Sequence, residues 1–381
     1  MTQPSPAERD RRWAAARAIM ASQDVDVIVA FSDFGDQASL QRYFTNFRSS
    51  YDYVASLLYR ENGCDMIMTH PGGIPIASQL SWATEVLPMA VPETMAGHNS
   101  GKGPSVGGQM ANRFSAKGVK RVGVLGMEYF PSGWVELIRA AIPEVEFVDV
   151  WQDVHLLRLA KGADEQALIR EACRISDLAW SHVPEIMKVG RKRYEVLADI
   201  EHILRLEGCE DSFNLLMAMP MLQEPLDRNP YSALPVEEDS VYLLEISPRY
   251  LGYFGQQTNL VGTGPIPSDM LKAHQAVNRA REAGLKLVKP GVDLIEVGSA
   301  IADQFAKDGF EPASPSFGHA VGLELEDHHI NGTSLVLEEG MTFIFHPMAA
   351  GNPAVMRADT YLITAGGYER LTNGDPAAMV L

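Results

Sequence analysis

The chain is short of cysteine, of basic residues and of long apolar runs, and each shortage removes a class of protein. Only Cys64, Cys173 and Cys209 occur in 381 residues, scattered with no paired spacing. That excludes a disulfide framework and a cysteine-based zinc site, and it is the pattern expected in a reducing cytoplasm. Lys and Arg total 32 against 49 Asp and Glu, a net charge of -17. Such a balance repels nucleic-acid phosphates and anionic lipid, so no nucleic acid and no membrane is expected as a partner. No run reaches the ~20 uninterrupted apolar residues of a spanning helix. The opening residues, MTQPSPAERDRRWAAARAIM, are charged and lack the apolar core of a secretion signal.

What is present suits an ordinary packed protein. Hydrophobic residues make up 46% and charged residues 21%, enough for a core and too apolar for wholesale disorder. The length predicts two domains, placed at 1–155 and 156–381. In the first, Trp13, Ala16, Ile19 and Met20 recur at helical spacing, and the runs VDVIVAF, YVASLLY, DMIMT and Val122 to Leu125 read as strands. The glycine-rich stretch His98 to Gln109 fails the phosphate-loop pattern, because Gly103 follows Lys102, and reads as a loop. In the second domain, helices are expected over Asp164 to Met187, Arg193 to Glu207, Asp269 to Leu287 and from Asp293 to Gly309. SVYLLEI and Leu251 to Val261 read as a hairpin turning at Ser247-Pro248-Arg249.

Four strings, in order, carry a resemblance. They are GADEQALIREACRISDLAW, GHAVGLELED, LEEGMTFIFHP and RADTYLIT. Together they resemble the pita-bread family of creatinase, prolidase and aminopeptidase P over about Ala160 to Leu381. The fold class this implies is α/β (α+β), a C-terminal pita-bread domain behind a smaller creatinase-type α/β domain. RYFTNF at Arg42 to Phe47 resembles a strand end of that N-terminal domain.

The family's metal-bearing members hold two divalent ions with two Asp, one His and two Glu, a cage in which carboxylates offset the metal charge. By the resemblance, those five positions are Glu245, Gln256, His319, His346 and Ala358. Three have lost their carboxylate, so a two-metal site, and with it a standard metallopeptidase, is not expected. The family's second histidine falls on Glu326-Asp327. Creatinase is metal-free and uses the histidine of a His-Asn-Pro string. The matching string here is Arg228-Asn229-Pro230, and an Arg does not shuttle protons near neutral pH.

The resemblance gathers Arg228, Glu245, Gln256, His319, His346 and Glu326 into one pocket, with Tyr253 beside it. Histidine is the natural neutral-pH acid/base, and Arg228 has the planar fork that clamps a carboxylate. The leading expectation is a metal-free, creatinase-like hydrolase of a small carboxylate-bearing compound, cutting at a C–N bond. His319 and His346 are its expected acid/base pair and Glu245 its orienting or water-activating carboxylate. Arg228 is the expected anchor, and Gln256, Glu326 and Tyr253 further substrate contacts. No cofactor is expected, and the family implies a homodimer, with Arg48, Tyr51 and Tyr53 as candidates to reach a partner's pocket. Two other classes stay open: a mononuclear metal site on His319, His346 and Glu245, as a hydrolase or lyase, and a binding protein with no catalysis. His328 and His329 read as exposed loop histidines.

Overall fold

The computed structural model describes residues 3–32, 38–48, 53–88, 90, 104–219, 232–330, 333–351 and 354–381. The chain divides into two compact units, Met1–Arg158 and Leu159–Leu381. Among the described residues no helix is long and apolar enough to cross a membrane.

The first unit is built on a six-stranded sheet. Its elements are α1 (Pro6–Ser22), β1 (Val27–Ser32), α2 (Ala38–Thr45), β2 (Val54–Tyr59), β3 (Cys64–Met68), α3 (Gly73–Leu80) and β4 (Glu85–Val86). They continue with α4 (Val106–Lys117), β5 (Arg121–Leu125), α5 (Ser132–Ala141), β6 (Glu146–Asp149) and α6 (Trp151–Leu157). The strand order is β4-β3-β2-β1-β5-β6. β1 pairs antiparallel with β2 and parallel with β5, so it lies inside the sheet. An interior strand is covered on both faces, which is why its apolar residues run on without alternation. Val27, Val29, Val122 and Val124 meet Phe114 of α4 and Trp134 and Ile138 of α5 in one core. Of the expected loop over His98 to Gln109, residues 98–103 lie outside the described residues, and from Val106 on the chain is helical. The Ser105 side chain accepts from the Gly108 backbone N–H and starts α4 at Val106, so one N-cap bond carries two glycines into the first turn.

The second unit holds α7 (Ala163–Ile186), α8 (Arg193–Leu206), β7 (Asp211–Ala218), β8 (Val241–Tyr250), β9 (Tyr253–Phe254) and β10 (Gln257–Gly262). Next come α9 (Ser268–Leu285), α10 (Leu294–Lys307), β11 (Gly318–Ala320), β12 (His328–Ile330), β13 (Thr342–Phe345), β14 (Met348–Ala349) and β15 (Val355–Met356). The unit closes with β16 (Asp359–Thr364), β17 (Gly367–Arg370) and β18 (Met379–Val380). One sheet runs β18-β10-β8-β7 with β9 on β8, and the other runs β12-β11-β13-β16-β17. Each sheet gives alternate residues to a helix pair. Tyr242, Leu244 and Ile246 of β8 join Ile175, Val183 and Leu197 of α7 and α8. Phe343 and Phe345 of β13 join Val277 of α9 and Ile301 and Phe305 of α10. Glu245 and Ile344 stand at intervening positions of their strands and therefore each face away from the helix pair on their own sheet.

The sheets are tied where β10 meets the start of β16. Thr258 and Ala358 exchange two backbone hydrogen bonds of 3.1 Å, and the Thr360 hydroxyl bonds both the N–H and the carbonyl of Gln256, at 3.0 and 2.9 Å. The hairpin differs from the expectation. β8 continues through Pro248 to Tyr250, and the chain reverses at Leu251 and Gly252, with φ of 44° and 99°. Two successive left-handed residues fit a tight hairpin turn, and Leu at the first of them hides the signal.

Candidate active site

Glu245 sits mid-strand, opposite Thr258 of β10 and Leu215 of β7. It is 5% exposed. Ser247, two residues on and on the same face, donates its hydroxyl to Oε1 at 3.2 Å. Burial pushes the Glu245 carboxyl up to about 7, against the pull of donors on Gln256, Ser247 and Thr258 and with a further push from the charge of Glu326. Gln256 is buried as well, and its Oε1 meets no hydrogen-bond partner.

His319 on β11 and His346, one residue past the end of β13, come together. His319 on β11 lies opposite Ile344, and the rings are 5.0 Å apart, tilted by 56°. Gly318 makes this approach possible: a Cβ there would collide with the Ile344 carbonyl oxygen. His319 Nδ1 lies 3.2 Å from the Ala320 carbonyl oxygen. The Ala320 and Leu325 backbones both offer this ring an acceptor, which favours its protonated form against the pull of burial. His346 is fixed by its backbone N–H, which donates to the Phe317 carbonyl at 2.8 Å. Burial pushes both imidazoles down to about 4, His346 further disfavoured as a cation by its neighbour His319.

The remaining expected contacts fall in different surroundings. Glu326 is exposed and bonds His329 Nε2 at 3.2 Å, yet its charge is felt at both Glu245 and His346, which puts it on the rim. His328 is half-buried and His329 exposed. Tyr253 is 1% exposed, and its hydroxyl donates to Glu165 Oε1 at 2.9 Å. Glu165 Oε2 in turn accepts from the Gly162 N–H, so this tyrosine hydroxyl anchors the first turn of α7. Arg228, with Asn229 and Pro230, lies outside the described residues, as does Tyr51. In the first unit, Tyr53 stacks on Phe31 at 5.8 Å.

Two buried ionic features have no counterpart in the sequence patterns. Lys161 Nζ pairs with Asp327 Oδ2 at 3.4 Å, both side chains 1% exposed. Asp359, fully buried, takes Arg281, Arg357 and Arg370 at 2.6, 3.0 and 2.7 Å, with Thr372 donating at 2.8 Å. The hub pins β16 one residue beyond Ala358.

The donor set does not fit the metal pair implied by the fold. Ala358 is fully buried in an apolar cluster with Phe254, Val321 and Ile344, and Gln256 offers a neutral amide where a hard cation requires charge. Among the described residues, no group of three His, Cys, Asp or Glu could hold a metal ion, which leaves the mononuclear alternative without a ready ligand set.

Residues 167–365, just over half of the chain, match the profile of metallopeptidase family M24, and residues 12–160 match the creatinase/prolidase N-terminal domain. An uncharacterized peptidase, YqhT, of Bacillus subtilis is 29% identical over 71% of this chain and 78% of its own. A Xaa-Pro dipeptidase of Pyrococcus horikoshii is 27% identical over 67% and 74%. The fold is shared with an X-Pro aminopeptidase from Thermotoga maritima, at TM-score 0.81, 19% identity and coverage of 97% and 99%. It is shared equally with a Xaa-Pro dipeptidase from Bacillus anthracis, at TM-score 0.81, 21% identity and coverage of 98% and 100%. The two matched segments, in this order and on this fold, make the chain a member of metallopeptidase family M24, in the pita-bread group of creatinase, prolidase and aminopeptidase P.

Proposed function

We propose that this protein hydrolyses an amide-type C–N bond in a small carboxylate-bearing compound, without a metal ion, at a centre formed by His319, His346 and Glu245. The observation that carries the reading is an inversion of proton affinities. Two imidazoles held near 4 stay neutral at pH 7, while a carboxyl raised to about 7 is half protonated there. The sequence alone suggests histidine as both acid and base, with Glu245 orienting or activating water. The inverted affinities favour another division of labour. A neutral imidazole takes a proton from the attacking water, and protonated Glu245 gives one to the departing nitrogen. Water oxygen bonds to the carbonyl carbon, the C–N bond breaks as the nitrogen takes the Glu245 proton, and the amine leaves as the free base; the imidazolium then gives up the water proton and the Glu245 carboxylate regains one. Pairs of groups whose environments drive their affinities apart are suited to such work.

Arg228 remains the candidate clamp for the substrate carboxylate, and Gln256 and Glu326 candidate contacts around the reacting group. A homodimer in the cytoplasm is proposed with this reading. Relatives named Xaa-Pro dipeptidase support a hydrolase and favour a second reading, a metal-dependent dipeptidase. Gln256 and Ala358 weigh against it, since neither supplies the anionic oxygen the ions require.

The test is turnover by chelator-treated protein on a panel of dipeptides, including X-Pro, and of small carboxylated amides and ureas, with released amine as the readout. Hydrolysis that survives chelation supports the proposal. Hydrolysis that appears only when a divalent ion is restored refutes it.

A further inference from the structure

A second cavity lies on the opposite face of β10 from Glu245. Thr258 stands across from Glu245, so its neighbours Gln257 and Asn259 point to the other side of that sheet. There they join Asp177 and Trp180 of α7, with Gly374 and Asp375 of the C-terminal segment, around a space of about 340 Å3. A water needs only about 10–15 Å3 of such space, so there is room for a group of many atoms. The walls are fixed by their own bonds. Asn259 Nδ2 donates to the Asp375 and Ala377 carbonyls at 3.2 and 2.8 Å, and Asp177 accepts from the backbone and side chain of Asn373 at 2.9 and 3.0 Å.

Two buried polar atoms in these walls are unmet. Trp180 is 6% exposed and Gln257 2%, and neither the indole Nε1–H nor the amide Oε1 has a partner. Such atoms are costly to leave so. They do not bond each other, and the indole N–H has a fixed direction because its ring is held in the core shared with Val183 and Leu197. One is a donor and the other an acceptor, a pair that a single amide answers with its carbonyl and its N–H. Asp177 and Asp375 add negative charge, and among the described residues lining the cavity there is no Lys, Arg or His. The charge of Arg370 reaches Asp177, but that guanidinium is engaged by Asp359 and the Gly374 carbonyl.

We infer that this cavity is a second binding site, separate from the candidate active site, for an α-ammonium group joined to an amide. The ammonium lies by Asp177, and the amide spans Trp180 Nε1 and Gln257 Oε1. A free amino acid is rejected, because its carboxylate brings negative charge toward Asp177 and Asp375 and has no N–H for Gln257. Two sources carry the accepted chemistry, an amino-acid amide and the amino terminus of a peptide. Nothing here depends on what Glu245, His319 and His346 do.

Three probes separate the features: glycinamide carries both, ethylammonium the charge alone, and N-acetylglycinamide the amide alone. Fragments of this size bind with Kd of about 1 mM or weaker, within reach of ligand-observed NMR on full-length protein. The titrations are run at constant ionic strength and pH 7, where an α-ammonium is mostly charged. Glycinamide is expected at least about tenfold tighter than either of the others, the worth of one good hydrogen bond. Trp180→Phe removes the N–H and keeps an aromatic ring, and it is expected to bring glycinamide down to the level of ethylammonium. Asp177→Asn is expected to bring it down to the level of N-acetylglycinamide. Far-UV circular dichroism checks that the variants fold, and should Trp180→Phe fail to, Gln257→Met takes its place with the same expectation. Glycylglycinamide tighter than glycinamide assigns the site to a peptide terminus, and weaker assigns it to an amino-acid amide. Glycinamide no tighter than both single-feature probes, a preference that survives in either folded variant, or no binding by any probe overturns the inference. No turnover is read, so failure of the hydrolase proposal leaves this result unaffected.

Discussion

Replacing Glu245 by Gln removes a buried charge and almost nothing else, so its effect on stability follows from the carboxyl's environment. Burial raises that carboxyl from its ordinary 4.5 to about 7. Each tenfold gain in proton affinity corresponds to about 1.4 kcal/mol, so the native state of the wild type carries a penalty of roughly 3 kcal/mol once the group is ionised. The sign follows from proton counting. Between 4.5 and 7 the folded chain binds more protons at Glu245 than the unfolded chain, so stability falls as pH rises through that window and levels off above it. The glutamine has no such dependence. It gives up one acceptor among the donors of Ser247, Gln256 and Thr258, a loss of about 1 kcal/mol. Glu245→Gln is therefore expected to equal the wild type or fall about 1 kcal/mol below it near pH 5, and to exceed it by about 2 kcal/mol at pH 8. Amide hydrogen exchange of the peptide covering Val241–Tyr250, compared between the two proteins at each pH, reads the opening free energy of this strand directly. A difference between variant and wild type that does not change from pH 5 to pH 8 refutes the claim that Glu245 is held protonated by burial.

Three further outcomes follow from the same geometry. The pH profile of turnover is expected to be a bell with limbs at about 4, where the imidazoles become charged, and about 7, where Glu245 loses its proton; a plateau extending well above 7 contradicts the acid role of Glu245. His346→Ala is expected to reduce kcat by about 10²–10⁴-fold, the usual worth of a general base, and steady-state kinetics showing full turnover removes His346 from the mechanism. Lys161→Met takes the buried cation away from the Asp327 carboxylate, which is expected to destabilise the second unit by about 3–5 kcal/mol, and a urea melt unchanged from wild type refutes that coupling.

How much of this is legible in the sequence depends on the range of the interactions involved. Features set by neighbours in the chain are readable. Asp293 accepts from the Ile295 N–H and starts α10 as expected. Glu245 stands out because a carboxylate inside VYLLEI needs partners, and it has them. The position of the hairpin turn is hidden because the residue that takes the left-handed conformation before Gly252 is a leucine, a type that gives no turn signal. A helix start at Val106 is hidden by the glycine content around it, because one serine hydroxyl can start a helix through Gly107 and Gly108.

Features set by distant parts of the chain are not readable. Lys161 and Asp327 are 166 residues apart, and nothing local marks them as a pair. The three arginines on Asp359 come from α9, the segment before β16 and β17. The proton affinities are invisible for the same reason. A histidine in a string such as GHAVGLEL reads as an ordinary neutral-pH base, and only the burial conferred by two packed strands lowers it to about 4. The resemblance brings the positions together, and packing sets their chemistry.

The central claim is that this member of a metallopeptidase family works without the family's metal. Elemental analysis of protein purified without chelator or histidine tag, paired with the activity of chelator-treated enzyme on the same preparation, tests it most directly. The account predicts less than about a tenth of an equivalent of any transition metal, the level of adventitious binding by weak surface sites, and full activity after chelation. About one or two equivalents of a divalent metal, with activity lost on chelation and restored by that metal, would contradict it.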